Sequence, residues 1–304
     1  VQDERFVKSR SGKEDDGARI QLGDEAEDGR KIEAREFAVI GNVGSTLYVS
    51  TDLGAPRRKV VAISLAERAR SKWRTILPEG AHTIENVHLT KTHLVVTRLV
   101  DVRGELSLYT LDGKGAGKVS LPGIGTVAGV STSRDFSGFY YAFTSPLYPT
   151  TVFRYDIATR GNVPFDAPTM AFDPSRYETT QRFATSKDGT RVPYFVTHRK
   201  GLPLDGANPT MLYAYGGFSV SLLPSFSPSN VAWMEQGGVW VTASLRGGGE
   251  YGEAWHQAGM RDKKQHVFDD FIAVAEQLIA DKVTSSAHLT IEGGSNGGLL
   301  VGAV

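Results

Sequence analysis

The chain has 304 residues, enough for about two domains, and an ordinary globular composition in which 40% of residues are apolar. Lys plus Arg and Asp plus Glu balance at 34 each, so no global field recruits nucleic acid or an anionic membrane surface. The absence of cysteine excludes disulfides, thiolate catalysis and cysteine-ligated zinc, and leaves cytoplasm and periplasm both open as compartments.

From the start, Val1 to Arg5 is charged and has no apolar leader-like run, and nowhere does the sequence approach the roughly 18 apolar residues of a membrane span. A soluble protein is expected, with no membrane and no nucleic-acid partner. The segment Ser9 to Lys31 is dense in charge and glycine and reads as an exposed loop or sheet edge. Strand-like runs then recur in pairs: Thr46–Ser50 with Val60–Ile63, His93–Thr97 with Leu106–Tyr109, and Phe139–Phe143 with Thr151–Tyr155. Corresponding positions lie about 46 residues apart, within the period expected of four-stranded propeller blades. A shorter run closes each unit, at Trp73–Leu77, Lys118–Leu121 and Asn162–Phe165. Residues 1–175 are therefore expected to form part of a β-propeller, its last three to four blades; the alternative for the same strands is a β-sandwich.

From about Tyr177 the pattern changes. Arg182–Thr185 and Val192–Thr197 flank Ser186-Lys187-Asp188-Gly189, where Asp-Gly between apolar runs predicts a hairpin. Met211–Tyr215 and Gly238–Ala243 are near-continuous apolar runs, as expected for strands covered on both faces. Phe268, Phe271, Ile272, Ala275, Leu278 and Ile279 recur with helical spacing, and Asp269, Asp270 and Glu276 fall on the opposite, solvent face. With Leu289–Ile291 this makes a strand–helix–strand crossover, so residues 176–304 are expected to be the amino-terminal part of an α/β-hydrolase domain.

The run Gly293-Gly294-Ser295-Asn296-Gly297-Gly298 carries the chemistry. A G-x-S-x-G core between a strand and a helix is a nucleophile elbow, in which a serine projects from a strained turn and side chains at the flanking glycines would collide with neighbours. Ser295 is the candidate nucleophile and the Asn296 backbone N–H one oxyanion donor. The second donor is expected from Tyr213-Ala214-Tyr215-Gly216-Gly217-Phe218; Tyr215 reads equally as that donor or as a core aromatic. Arg246-Gly247-Gly248-Gly249 lacks the Gly-Lys-Ser/Thr ending of a phosphate loop and reads as a structural turn. His256 and His266 read as capping or surface residues. In this fold the acid and the histidine follow the nucleophile in the chain, and all seven histidines precede Ser295. The sequence also stops within the helix that the elbow opens. It therefore reads as a fragment without a complete triad.

Together, Tyr213–Phe218, Leu245–Gly252 and Gly293–Gly298 resemble the prolyl oligopeptidase family, and the Ser186–Thr190 turn and the stretch Lys263–Phe271 extend the likeness. The resemblance is dense from Tyr177 to Val304 and weaker before it. It implies a seven-bladed propeller capping an α/β-hydrolase domain, and a serine endopeptidase that cleaves short peptides after proline through an acyl-enzyme. It further implies Ser295 as nucleophile, the Asn296 amide and Tyr215 hydroxyl as the oxyanion hole, and Phe218 as part of the proline pocket. No metal or organic cofactor is implied. The expected partners are short proline-containing peptides and the carboxyl-terminal portion of the same protein. A propeller-capped acylaminoacyl peptidase or esterase, and a non-catalytic propeller interaction module, are the competing readings.

Overall fold

The computed structural model describes residues 36–133 and 136–304; the charged segment Ser9–Lys31 lies outside the described residues. The first region consists of three antiparallel four-stranded sheets, each continuous in sequence. They are β1 (Phe37–Val43), β2 (Thr46–Thr51), β3 (Lys59–Ser64) and β4 (Arg74–Leu77); then β5 (Thr83–Leu89), β6 (His93–Val100), β7 (Arg103–Thr110) and β8 (Gly115–Lys118); then β9 (Thr126–Thr132), β10 (Gly138–Ser145), β11 (Tyr148–Asp156) and β12 (Asn162–Asp166). The three expected hairpins are β2–β3, β6–β7 and β10–β11. Each blade also has a first strand that the apolar pattern did not reveal. The closing strand expected at Lys118–Leu121 lies instead at Gly115–Lys118, where a bulge between Leu108 and Tyr109 shifts the pairing toward Gly115 and Gly117.

Alternation sends successive side chains of a strand to opposite blade interfaces. Leu94 and Val96 pack with Tyr48, Val60, Ala62 and Ile84, on the side of the first blade. Val95, between them, packs with Phe139, Tyr141, Phe143 and Phe153 of the third. Burying each such side chain stabilises by about 1.5–3 kcal/mol, so face-to-face stacking is what holds the blades together.

The second region is a five-stranded sheet in the order β13-β14-β16-β15-β17. Its strands and helices run β13 (Tyr177–Thr185), β14 (Arg191–Arg199), β15 (Thr210–Ala214), α1 (Pro228–Glu235), β16 (Val239–Ala243), α2 (Glu253–Gln257), α3 (Gln265–Ala280), β17 (Leu289–Glu292) and α4 (Asn296–Ala303). The hairpin β13–β14 turns at Ser186–Thr190, with Gly189 at φ 86° and Thr190 N–H donating to Asp188 Oδ1 at 3.0 Å. Strands β16, β15 and β17 are parallel.

On one face of this sheet Leu212, Ala214, Val239, Val241 and Ala243 are fully buried beneath Val267, Phe271, Val274 and Leu278 of α3. The expectation of cover on both faces is met only in part. β15 and β16 alternate between buried and half-buried residues, and Met211, Tyr213, Trp240 and Thr242 line an open cleft of about 440 Å³ bordered by Trp233 of α1. The helix itself is rotated from its apolar pattern. Ile272 and Ile279 are 39% and 38% exposed, whereas Asp270, expected in solvent, is fully buried. The buried stripe runs through Val267, Phe271, Val274 and Leu278, and Asp270, three residues after Val267, lies on it and pairs with Arg246.

The two regions meet at several points. Thr126 Oγ1 donates to Pro224 O at 2.7 Å, Phe226 N–H donates to Thr144 Oγ1 at 3.1 Å, and Phe172, Tyr177, Val231 and Met234 form a shared apolar cluster. The β6–β7 turn, Asp101–Val102, has both residues at positive φ, 47° and 67°. Gln181 Nε2 donates to its Asp101 carbonyl and Tyr251 Oη to the Asp101 carboxylate at 3.3 Å.

Candidate active site

Because β15 and β17 are parallel neighbours with Tyr213 opposite Glu292, their carboxyl ends bring the segments after them together. Tyr215 and Ser295 follow these two strands by one and three residues, and the Arg246–Gly249 loop follows β16 at the same sheet edge. Ser295 sits at φ 53°, ψ −115°, immediately before α4, and is exposed. A non-glycine residue in this region is strained, and such strain persists only where the surroundings over-determine it. Here they do: a Cβ on Gly293 would lie 2.3 Å from the Gly297 carbonyl oxygen, and one on Gly297 would lie 2.6 Å from that of Ala214. The two glycines thus let strand and helix close on the serine.

The second loop is fixed by the residue after the serine. Asn296 Nδ2 donates to the Tyr215 carbonyl at 2.6 Å, and Lys264 Nζ donates to the Gly216 carbonyl at 2.8 Å. Tyr215 is half-buried and lies past the end of its strand, whereas Tyr213, on the strand, stacks on Trp240 at 6.2 Å. Phe218 stands at φ 53° and is 75% exposed.

Beneath this edge lies a buried ionic pin. Arg246 Nε reaches both oxygens of Asp270, at 2.9 and 3.2 Å, and Nη1 meets Asp188 at 2.5 Å. Ser186 Oγ accepts from Nη2 at 3.1 Å and the Arg246 backbone N–H donates to Asp270. The Arg246 hydrogen bonds hold the Asp188 carboxyl well below the usual carboxylate range. Burial works against the guanidinium charge, and the two aspartates more than restore it. The glycine run after Arg246 is thereby a structural turn, not a phosphate loop.

Glu250 is a further buried charge-bearing group. Its Oε1 accepts the Leu222 backbone N–H at 2.7 Å, its Oε2 has no partner, and burial pushes its pKa up to about 7. Neither Asp270 nor Glu250 was legible as an interior residue, because the partners lie 24 and 28 positions away and leave no periodic signal.

Among the described residues no histidine is hydrogen-bonded to Ser295. His198 and His266 are bonded through Nδ1 to the carbonyls of Arg199 and Ala258, at 2.8 and 2.9 Å, and His256 pairs with Glu253. Among the described residues no group of three acidic or histidine side chains is arranged to hold a metal ion, and no helix is long and apolar enough to cross a membrane.

Stacked four-stranded blades joined to a crossover sheet that ends in a serine elbow define a β-propeller coupled to an α/β-hydrolase domain, each present in part. The comparisons carry the assignment further. Residues 25–167 match the family model described as "Prolyl oligopeptidase, N-terminal beta-propeller domain", and residues 224–304 match "Prolyl oligopeptidase family". The chain belongs to the prolyl oligopeptidase family.

The prolyl endopeptidase of Elizabethkingia meningoseptica is 38% identical over 260 residues, which is 86% of this chain and 37% of that protein. A structure from a study of inter-domain dynamics in two prolyl endopeptidases superposes with a TM-score of 0.83 at 42% identity, covering 90% of this chain and 40% of that one. Prolyl oligopeptidase B of Galerina marginata, bound to a 25-residue macrocyclization substrate, gives 0.81 at 32% identity over 88% and 38% of the two chains. The chain thus spans little more than a third of the length of these relatives.

Proposed function

We propose that this chain is the propeller-to-nucleophile portion of a serine endopeptidase that hydrolyses short peptides on the carboxyl side of proline. The observation that carries the proposal is Ser295, held in a strained turn one strand away from the Tyr215 loop. In the reaction Ser295 Oγ attacks the scissile carbonyl to form an acyl-enzyme that water then hydrolyses. The Asn296 backbone N–H and the Tyr215 hydroxyl stabilise the oxyanion, and Phe218, the exposed aromatic of that loop, lines the proline pocket. The aspartate and histidine that activate the serine lie in sequence beyond residue 304, which is consistent with the share of the relatives that the chain spans and with the engagement of His198 and His266 elsewhere. Residues 1–175 are the partial propeller and 176–304 the partial catalytic domain. The carboxyl-terminal portion is a partner of this one, the chain alone is inactive, and neither metal nor organic cofactor takes part.

The test compares this chain with the full-length protein on a chromogenic peptide with proline before the scissile bond. Turnover by the full-length protein alone, lowered at least about 10⁴-fold in Ser295→Ala, is expected. Tyr215→Phe is expected to lower kcat roughly 10²- to 10³-fold. Turnover by the 304 residues alone sinks the placement of the histidine. Cleavage of simple esters or acylaminoacyl peptides in preference to prolyl peptides sinks the specificity.

A further inference from the structure

The geometry points to Lys264 as a positioning residue for the oxyanion hole, one that ties the Tyr215 loop to the serine elbow. Lys264 lies just before α3, and its Nζ donates to two acceptors, the Gly216 carbonyl at 2.8 Å and Asn296 Oδ1 at 3.2 Å. The Asn296 amide in turn donates to the Tyr215 carbonyl at 2.6 Å. Two consecutive carbonyls of the loop are therefore gripped, one by the lysine and one by the asparagine, and the two holders are bonded to each other. The result is a closed ring of hydrogen bonds joining three segments distant in sequence: the loop after β15, the start of α3 and the start of α4. Gly217 lies against the same amide, since a Cβ there would lie 2.5 Å from Asn296 Nδ2. That contact prevents the loop from lifting toward the elbow or sliding along it.

The charge of Lys264 supports the assignment. Among the described residues no carboxylate pairs with its ammonium, which is half-buried against neutral oxygens, and burial lowers its pKa. An ammonium taken part of the way out of water without an anion is costly, and packing alone is served better by a methionine of similar length. Three rotatable donors on one atom meet two acceptors at once, and the positive charge stands beside the segments from which an oxyanion receives its donors. The lysine touches neither substrate nor Ser295. It acts by fixing where the Asn296 amide and Tyr215 stand relative to each other, and fixed donors stabilise a transition state because no reorganisation is left to do.

This inference rests on the acyl-transfer reading of Ser295, and the experiment separates the two. Lys264→Met is made in the full-length protein, with Lys264→Gln as a second variant should the first not fold. Active serines are counted with a fluorophosphonate, and kcat and KM per active serine are measured on the prolyl substrate and on a small ester. Affinity is measured for a peptide aldehyde, which forms a hemiacetal in the oxyanion hole, and for the corresponding peptide amide, which does not. The expected result is a fall in kcat of roughly 10- to 100-fold on both substrates, with KM changed less than about twofold. The aldehyde should weaken by the same factor while the amide is unaffected, because only the former reports transition-state binding. Combining the change with Asn296→Ala should cost little more than the worse single variant, as expected of one ring. An unchanged kcat per active serine, or equal weakening of aldehyde and amide, overturns the role of Lys264. A wild type that turns over neither substrate overturns the acyl-transfer reading itself.

Discussion

In the propeller, a buried side chain finds its partners on the neighbouring blade, and the arrangement repeats: Leu94 and Val96 toward one blade, Val95 toward the next. In the hydrolase region one buried guanidinium gathers Ser186, Asp188 and Asp270 from positions 24 to 60 residues away. The propeller spreads its stability over many interchangeable apolar contacts, so a loss at one of them is partly absorbed. The catalytic half has an apolar core of its own but adds to it a few buried polar joints, each made by one particular set of residues. Damage should accordingly be graded in the first region and abrupt in the second.

The largest effect should come from Asp270→Ala, which leaves the Arg246 guanidinium buried and short of its main partner. About 4 kcal/mol of destabilisation is expected in urea unfolding of the full-length protein, accompanied by loss of turnover. Leu106→Ala, at a fully buried blade contact, should cost about 3 kcal/mol and leave kcat unchanged. If the propeller substitution abolishes turnover and the Asp270 one does not, the contrast drawn above is wrong.

Glu250 sharpens the contrast through pH. Its carboxyl titrates near 4.5 when the chain is unfolded and at about 7 when folded, so below pH 4.5 both states hold the proton. Between these values only the folded state holds it, and stability falls as pH rises, by roughly 3 kcal/mol in all, levelling above pH 7. Melting temperatures across this window should show the slope, and Glu250→Gln should flatten it. The smallest effect belongs to the exposed Lys118–Glu105 pair of the propeller, where Lys118→Ala should shift stability by less than about 0.5 kcal/mol. A larger loss there would mean that the blades too depend on single polar joints.

What could be read in the sequence follows the same division. The β2–β3 and β6–β7 hairpins were legible because runs of successive residues are buried on both faces, and β10–β11 because its buried positions are aromatic, giving dense apolar runs at a regular period. The first strands of the blades were not, since Phe37–Val43 and Thr83–Leu89 mix exposed, half-buried and buried positions and carry bulges. Around the elbow, Gly293 and Gly297 betrayed Ser295 because close approach leaves a mark at fixed spacing. Lys264 left none. Its acceptors are a backbone carbonyl and an amide oxygen, and either is reachable from many sequences. Asp270 was misread because a carboxylate suggests a solvent face, whereas its spacing from Val267 and Val274 puts it on the buried stripe of α3, where the distant Arg246 supplies its counter-charge.

The turn at Asp101–Val102 is the point of the propeller that Gln181 and Tyr251 of the second region grip. A β-branched residue at φ 67° stores on the order of 1–3 kcal/mol of backbone strain. Val102 is fully buried, and the Asp101 beside it is held by Gln181 and Tyr251 from across the junction. The strain is set by the hairpin itself, because Val100 pairs with Arg103 and a two-residue turn between them requires positive φ at both positions. The junction is therefore anchored on a hairpin tip whose shape is settled before the two regions meet, so little ordering is left to be done when Gln181 and Tyr251 close on it.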